Sequence, residues 1–150
     1  MSEIKNLSKS YPAVITIPIA WGDMNAAQHV SNAVYFRYME SARVYYFEQI
    51  QTGDLSKNSE LNYILASASC KFILPLTYPD SVSVGAKIID IKEDRFVMKF
   101  KLVSNGKDKV AAIGESVLVS YSYVKNRKIL APEALVNKIK EFEIKKGYTL

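Results

Sequence analysis

The segment WGDMNAAQHVSNAVYFRYMESAR, residues 21–43, decides how the rest of the chain is interpreted. It holds the only histidine of the sequence, His29, among small polar residues directly before an aromatic run. From Asn32 to about Gln51 the chain contains neither glycine nor proline, which predicts a long helix. Polar residues form only a narrow stripe on that helix, and apolar side chains cover most of its remaining circumference. Such a helix is expected to be surrounded by protein.

Strand patterns flank this helix on both sides. Residues 13–21 alternate with a period of two, so one face collects Ile15, Ile17, Ile19 and Trp21. Pro18 lacks a backbone donor, which favours an edge position for this strand. Further strand patterns cover residues 62–74, 81–88, 96–103 and 110–124, with an Asn-Gly turn at 104–107. Pro132 begins a last helix that is apolar on one side only, at Leu135, Val136, Ile139 and Phe142.

This order of elements predicts an α+β fold in which a five-stranded antiparallel sheet wraps around one long central helix, with a C-terminal helix on the surface. A chain of 150 residues, about half of them apolar, has the size of one domain, and we expect residues 1–150 to form a single domain. The start, MSEIKNLSKSY, has no apolar stretch of signal-peptide length, and no segment is apolar enough to span a bilayer. We therefore expect a soluble, cytoplasmic protein that does not bind membranes.

Several functional classes lack support in the sequence. Cys70 is the only cysteine, and one cysteine with one histidine cannot supply the ligands of a structural zinc site, so no metal is expected. The chain has neither a glycine-rich phosphate loop nor a Gly-x-Ser-x-Gly nucleophile motif. Its net charge of +5 comes from scattered lysines and arginines, which does not favour nucleic-acid binding.

The opening segment resembles the signature of hotdog-fold thioesterases of the 4-hydroxybenzoyl-CoA thioesterase-like family, W-x-D-x-D-x-x-G/Q-H-x-N-N-x-x-Y followed by E-x-x-R. The matching residues include Asp23, His29, Asn32, Tyr35, Glu40 and Arg43. Two positions depart from the pattern: Ser31 replaces the first of the paired asparagines, and Asn25 stands where the family usually carries its catalytic aspartate. The Gln28-His29 pair is also similar to plant acyl-carrier-protein thioesterases, although the preceding acid and asparagine of their motif are absent.

The resemblance implies a hydrolase that cleaves the thioester of acyl-CoA, with coenzyme A as part of the substrate and no separate cofactor. It also implies a homodimer or homotetramer, and it leaves acyl carrier protein as an alternative partner. We expect the acyl chain to lie between the long helix and the sheet, beside the small residues 66–69. The basic residues Lys125, Arg127 and Lys128 are either contacts for coenzyme A phosphates or an exposed loop.

Thioester hydrolysis needs hydrogen-bond donors that stabilise the developing negative charge on the carbonyl oxygen. The first amides of a helix are unpaired donors at the positive end of its dipole. We therefore expect Asn32, Ala33 and Tyr35 to bind the substrate, with the amides of residues 32–34 pointing at its carbonyl.

Three residues are candidates for the catalytic chemistry itself: Asn25, His29 and Asp23. Asparagine cannot serve as nucleophile or base, but its amide can orient a water molecule. An imidazole accepts a proton near neutral pH, which makes His29 the first candidate for the base and Asp23 the second.

Each of these residues also has a structural alternative. His29 could satisfy backbone groups at the helix end, Asp23 could fix the turn, and Asn32 could cap the helix. Tyr35 fits a core or pocket wall, and the spacing of Glu40 to Arg37 and Arg43 fits ion pairs on one helix face. The functional alternative is a protein that binds acyl-CoA or acyl-carrier protein without hydrolysis, having lost the catalytic acid at Asn25.

Overall fold

The computed structural model describes residues 2–50 and 62–147, which form three helices and an antiparallel sheet. The elements in chain order are α1 (Glu3–Ser10), β1 (Ala13–Pro18), α2 (Asn32–Gln49), β2 (Asn62–Phe72), β3 (Ser81–Ile91), β4 (Arg95–Ser104), β5 (Lys109–Ser122), β6 (Arg127–Lys128) and α3 (Glu133–Lys145). The predicted α+β class is therefore confirmed. The helix that we predicted to run to about Gln51 ends at Gln49, and Gln51 itself lies outside the described residues.

The sheet has the strand order β1-β3-β4-β5-β2, and the two-residue β6 adds to β5. The five long strands are those expected from the sequence, whereas β6 was not predicted. β1 pairs only with β3, which confirms the edge position indicated by Pro18. Bulges interrupt the register at Ala66 in β2, at Ile89 in β3, and at Ala111 in β5 opposite Leu102 and Val103 of β4. Each bulge bends its strand and strengthens the twist, which helps the sheet to curl around a helix.

The core lies between α2 and the inner face of this sheet. The two central strands β3 and β4 alternate as predicted, and their inward residues are at most 2% exposed: Val82, Val84, Ala86, Ile88, Phe96, Met98, Phe100 and Leu102. Each of these side chains except that of Ala86 contributes about 1.5–3 kcal/mol by leaving water, and the Ala86 methyl group contributes less. Gly114 of β5 lets the helix approach, since a Cβ at that position would lie 2.5 Å from Cε of Met39.

Two expectations about the central segment are wrong. β1 ends at Pro18, and Trp21 lies in a short 3₁₀ turn, Trp21–Asp23, with 73% of its surface exposed. The helix α2 is not enclosed on all sides among the described residues, because Phe36 and Val44 are exposed on one side of it. Its buried face instead includes a charged residue, Arg43, which is only 7% exposed.

The helix α1 was not predicted, because only Ile4 and Leu7 are apolar among its eight residues. Its Leu7 packs with Tyr11 and Val103 on the sheet face opposite to α2.

The hairpin between β4 and β5 is confirmed, but its loop has four residues, Asn105–Asp108, and Asp108 adopts the positive φ of 51° instead of Gly106. The Asp108 carboxylate accepts hydrogen bonds from Ser2 Oγ and the Ile4 amide, which attaches α1 to this loop.

The helix α3 lies on the surface as predicted, with Leu135 and Ile139 buried on one side. That side also buries Glu143, which is 1% exposed. One of its oxygens accepts hydrogen bonds from the Tyr46 hydroxyl at 2.5 Å and from the Ile88 amide at 3.2 Å. Burial raises the pKa of Glu143, and these bonds together with Lys87 offset part of the rise, leaving the pKa above its ordinary value.

Within the two described ranges, no helix is long and apolar enough to cross a bilayer.

We predict that Glu143 links α3 to the core in a pH-dependent way. Because its pKa is higher in the folded state than in the unfolded chain, the stability of the wild type falls as pH rises from about 4.5 through the folded-state pKa. Glu143→Gln keeps an acceptor but cannot ionise. Its free energy of unfolding, measured with urea, should therefore rise relative to that of the wild type over this pH range. Glu143→Leu should cost about 1–3 kcal/mol by leaving the Tyr46 hydroxyl and Ile88 amide without an acceptor.

The matched control for this series is Glu141→Gln, on the exposed side of the same helix. Its free energy of unfolding should change with pH in the same way as that of the wild type. A Glu143→Gln variant whose stability stays parallel to that of the wild type would contradict a protonation change at Glu143.

Candidate active site

The connection from β1 to α2 forms a small loop that brings Asn25 and His29 together. Met24 and Val30 pair in an isolated antiparallel bridge, and the Asn25 amide donates to the His29 carbonyl at 2.9 Å. Gln28 adopts a φ of 61°, a conformation that favours glycine, at the position where the family pattern carries glycine or glutamine. The loop therefore places Asn25 and His29 side by side next to the start of α2.

Asp23 is engaged in structural contacts. Its carboxylate accepts hydrogen bonds from the Tyr38 hydroxyl at 2.8 Å and the Ala20 amide at 3.0 Å, and it forms an ion pair with Arg37. Burial alone would raise the pKa of Asp23, but the hydrogen bonds from Tyr38, Ala20 and Arg37 outweigh it and hold the pKa below its ordinary value. The expected pair of Arg37 with Glu40 is thus replaced by Arg37 with Asp23.

The first turn of α2 leaves two backbone amides without acceptors. The cap residue is Ser31 and not Asn32, and the Ser31 side chain makes no capping bond. The Ser31 amide donates to the Asp23 carbonyl at 3.0 Å, and the Val34 amide donates to the Ser31 carbonyl at 2.9 Å. The Val34 amide is therefore not available, contrary to expectation. Within residues 2–50 and 62–147, no acceptor bonds the amides of Asn32 or Ala33.

A cavity of about 260 Å³, here called the amide-end cavity, opens beside these amides. Four of the predicted site residues line it: Asn25, His29, Asn32 and Tyr35. Phe72 at the end of β2 and Leu74 in the loop that follows also line it. Asp23 and Ala33, the other two predicted site residues, are not among the lining residues. Phe72 and Leu74 were not predicted as site residues, because they are about 40 residues distant in sequence and only the folded strand β2 brings them to the helix.

Tyr35 forms the wall of this cavity. It is 2% exposed, and its hydroxyl donates to the Leu74 carbonyl and accepts from the Leu76 amide, both at 3.0 Å. Burial raises the pKa of Tyr35. A phenol with both bonding directions occupied and a raised pKa is a poor proton donor, so Tyr35 positions the loop after β2 and shapes the cavity.

The polar side chains that line the cavity differ in the hydrogen bonds that they can offer to a ligand. Asn25 Oδ1 accepts from the Ala27 amide at 3.0 Å, which leaves its NH₂ group as a donor. His29 is exposed, and its imidazole makes no hydrogen bond with the described residues, so a ring nitrogen is available to a ligand. Among the described residues no carboxylate lines the cavity, and they contain no cluster of three or more metal-binding side chains. The exposed Lys125, Arg127 and Lys128 lie at the end of β5 where β2 begins on its other side, and Phe72 is at the opposite end of β2.

The sequence model of one protein family, described as the thioesterase-like superfamily, matches residues 19–139. The chain belongs to this superfamily. None of the curated proteins matches the sequence significantly. The matched residues contain the loop with Asn25 and His29 and the whole of α2, so the amide-end cavity lies within the part that defines membership of the thioesterase-like superfamily.

Solved structures of thioesterases share the fold. A thioesterase from Thermus thermophilus, complexed with coenzyme A and Zn, is 27% identical with a TM-score of 0.80, covering 94% of this chain and 98% of that protein. The PA2801 protein of Pseudomonas aeruginosa is 25% identical with a TM-score of 0.77 over 87% and 99%. The 1,4-dihydroxy-2-naphthoyl-CoA thioesterase Slr0204 of Synechocystis, 15% identical with a TM-score of 0.75 over 85% and 94%, shows the fold alone. The predicted hotdog fold is confirmed.

We predict that Asp23 holds the β1–α2 loop. Asp23→Ala should lower the free energy of unfolding by about 1–3 kcal/mol, because it leaves the buried Tyr38 hydroxyl and the Ala20 amide without their acceptor. Because the pKa of Asp23 is lowered in the folded state, its contribution is complete above the unfolded pKa and is lost as pH falls through the folded pKa. The wild type and variant should therefore converge under acid conditions in urea unfolding. The exposed Asp90→Ala is the control, and equal losses in both variants would contradict this role.

Proposed function

We propose that the protein is an acyl-CoA thioesterase that hydrolyses the thioester to a free acid and coenzyme A. The observation that carries this proposal is the pair of amides at Asn32 and Ala33, which have no acceptor among the described residues, at the start of a helix whose Asn32 lines a cavity together with His29. Membership of the thioesterase-like superfamily supports the reaction class, and the coenzyme A complex of the Thermus thermophilus relative supports the substrate class.

In the proposed mechanism the substrate carbonyl oxygen accepts hydrogen bonds from the Asn32 and Ala33 amides. Water adds to the carbonyl carbon, and the oxyanion that forms is stabilised by these donors and by the positive end of the helix dipole. The His29 imidazole accepts the proton of the attacking water, the carbon–sulfur bond breaks, and the proton passes to the departing thiolate. The NH₂ group of Asn25 orients the water. Asp23 has its carboxylate occupied by three partners, so it acts by holding the loop.

A second candidate is a protein that binds acyl-CoA, or acyl-carrier protein, without hydrolysis. The observation in its favour is Asn25, which stands at the usual position of the catalytic acid, together with the lack of any carboxylate among the cavity-lining residues. In this case the amides bind the carbonyl but no group activates water.

We also propose that the protein is a cytoplasmic homodimer, with a homotetramer as the alternative assembly. Phe36 and Val44 on α2 and Leu65 on β2 are exposed, and β2 is an edge strand of the sheet. A second copy that packs on this side would bury these apolar side chains and close the cavity from the solvent.

Thiol release from a panel of acyl-CoAs of different chain length distinguishes the enzyme from the binding protein. The wild type should release free coenzyme A, and His29→Ala should lower kcat by about 100-fold or more, because it removes the proton acceptor. Lys140→Ala, on the exposed side of α3, should leave kcat unchanged. Tight binding without thiol release, with release acquired in Asn25→Asp, would establish the second candidate instead.

The role of the helix amide is tested by Asn32→Pro against Asn32→Ala. Proline is favoured at the first helical position, and Ser31 already has the extended conformation that a following proline requires, with ψ at 142°. Asn32→Pro should therefore fold normally yet lower kcat by about 100-fold through loss of one N–H donor. Asn32→Ala keeps that donor, so its kcat should change only a few-fold. Equal losses in the two variants would assign the effect to the side chain and refute the amide's role.

A further inference from the structure

Two cavities lie beside α2 on the side where β2 packs, the amide-end cavity at the start of the helix and a second one further along. Near the start of the helix, Phe36 contacts Phe72 with ring centroids 6.4 Å apart, and near its end Phe47 contacts Tyr63 at 4.6 Å. Between these two contacts lies a second cavity of about 260 Å³, here called the groove cavity, lined in part by Phe36, Met39, Arg43, Leu65, Ala68 and Ser116. Phe72 lines the first cavity and Phe36 the second, so their ring contact lies between the two, and an acyl chain that occupies both cavities must pass this pair of rings.

The groove cavity contains a buried cation with incomplete partners. Arg43 is 7% exposed, and its guanidinium lies 3.6 Å from a carboxylate oxygen of Glu40, a side chain that is itself 64% exposed. The Tyr63 hydroxyl also interacts with Arg43. A guanidinium has five N–H donors, and a long pair with a solvated carboxylate satisfies few of them. A buried charge with so little compensation is destabilising unless another acceptor is present.

The same cavity contains a buried hydroxyl without a partner. Ser116 is 1% exposed, and its Oγ forms no hydrogen bond within the described part of the chain. An unsatisfied buried hydroxyl costs free energy, and in native proteins it commonly marks a bonding partner that binds there. The remaining lining, Phe36, Met39, Leu65 and Ala68, is apolar or small and suits a hydrocarbon chain.

We propose that the acyl group of the substrate carries an acceptor oxygen at its far end, and that Arg43 and Ser116 bind this oxygen. The inference rests on the proposed function, since it takes the thioester to lie at the Asn32 and Ala33 amides. Ala33 and Arg43 are ten residues apart, or about 15 Å along the helix. At about 1.2 Å per bond of extended chain, and with the Arg43 side chain leaning towards the helix start, this distance fits an acyl chain of roughly ten carbons.

The other charges that face the cavity do not change the class of ligand. Arg37 is neutralised by Asp23, and the exposed Glu40 is largely screened by water. The local donors are therefore Arg43 and the Ser116 hydroxyl. A terminal hydroxyl and a terminal carboxylate both present the required acceptor, whereas a terminal methyl group presents none.

Calorimetric binding of three ten-carbon acyl-CoA analogues, with a thioether in place of the thioester, tests this proposal. Their chains end in a methyl group, a hydroxyl or a carboxylate. At least one oxygen-ended analogue should bind about tenfold more tightly than the methyl-ended one. Arg43→Gln should reduce that ratio to near one, and Ser116→Ala should reduce it several-fold. The exposed ion-paired Arg95→Gln is the control and should leave the ratio unchanged.

Ratios within one variant cancel any loss of folded protein, and Ser116→Ala provides a second, milder change should Arg43→Gln fold poorly. Equal or weaker binding of both oxygen-ended analogues would overturn the proposal, as would an unchanged ratio in both cavity variants. Thiol release from the parent thioesters is measured separately. Preferential binding without thiol release would support the distal site and refute hydrolysis, whereas thiol release without the preference would do the reverse.

Discussion

The packing of α2 onto the inner face of the curled sheet is the constraint on which the rest of the structure depends. Tyr38, Met39, Tyr46 and Phe47 are at most 1% exposed, and Met39 sits where Gly114 of β5 has no side chain. This close approach fixes the helix axis relative to β2 and β5. The position of the first helical turn follows, because a rigid helix packed along its length cannot move one end independently.

The helix start is held by contacts other than a side-chain cap. Asp23 receives the Ser31 amide on its backbone carbonyl and bonds Arg37 and Tyr38 through its carboxylate, so the loop is attached to α2 from both directions. Two amides of the first turn can then stay unbonded without fraying the helix. Unbonded donors at the positive end of a helix dipole favour an anionic or polarised oxygen, which is the electronic demand of thioester hydrolysis.

Two features of the described residues bear on what this site can do. No described residue that lines the amide-end cavity is a carboxylate, so among them the His29 imidazole is the group that can accept a proton near neutral pH. The groove cavity also holds Arg43 and Ser116, polar groups that a simple hydrocarbon chain would leave unsatisfied. The first feature concerns the reaction and the second concerns the substrate, and the Phe36–Phe72 ring contact lies between the two cavities.

Most of the secondary structure and the fold class could be predicted from the sequence, as could the position of the candidate site in the loop before α2, because alternating strands, a glycine-free helix and the segment around His29 are local patterns. It did not reveal α1, whose few apolar residues gain stability only from packing against Tyr11 and Val103. It also could not show that Asp23 pairs with Arg37, that the Val34 amide is occupied, or that Phe72 and Leu74 meet Tyr35. Only the tertiary structure decided these contacts, because they join residues whose distance in space depends on how the sheet curls around the helix.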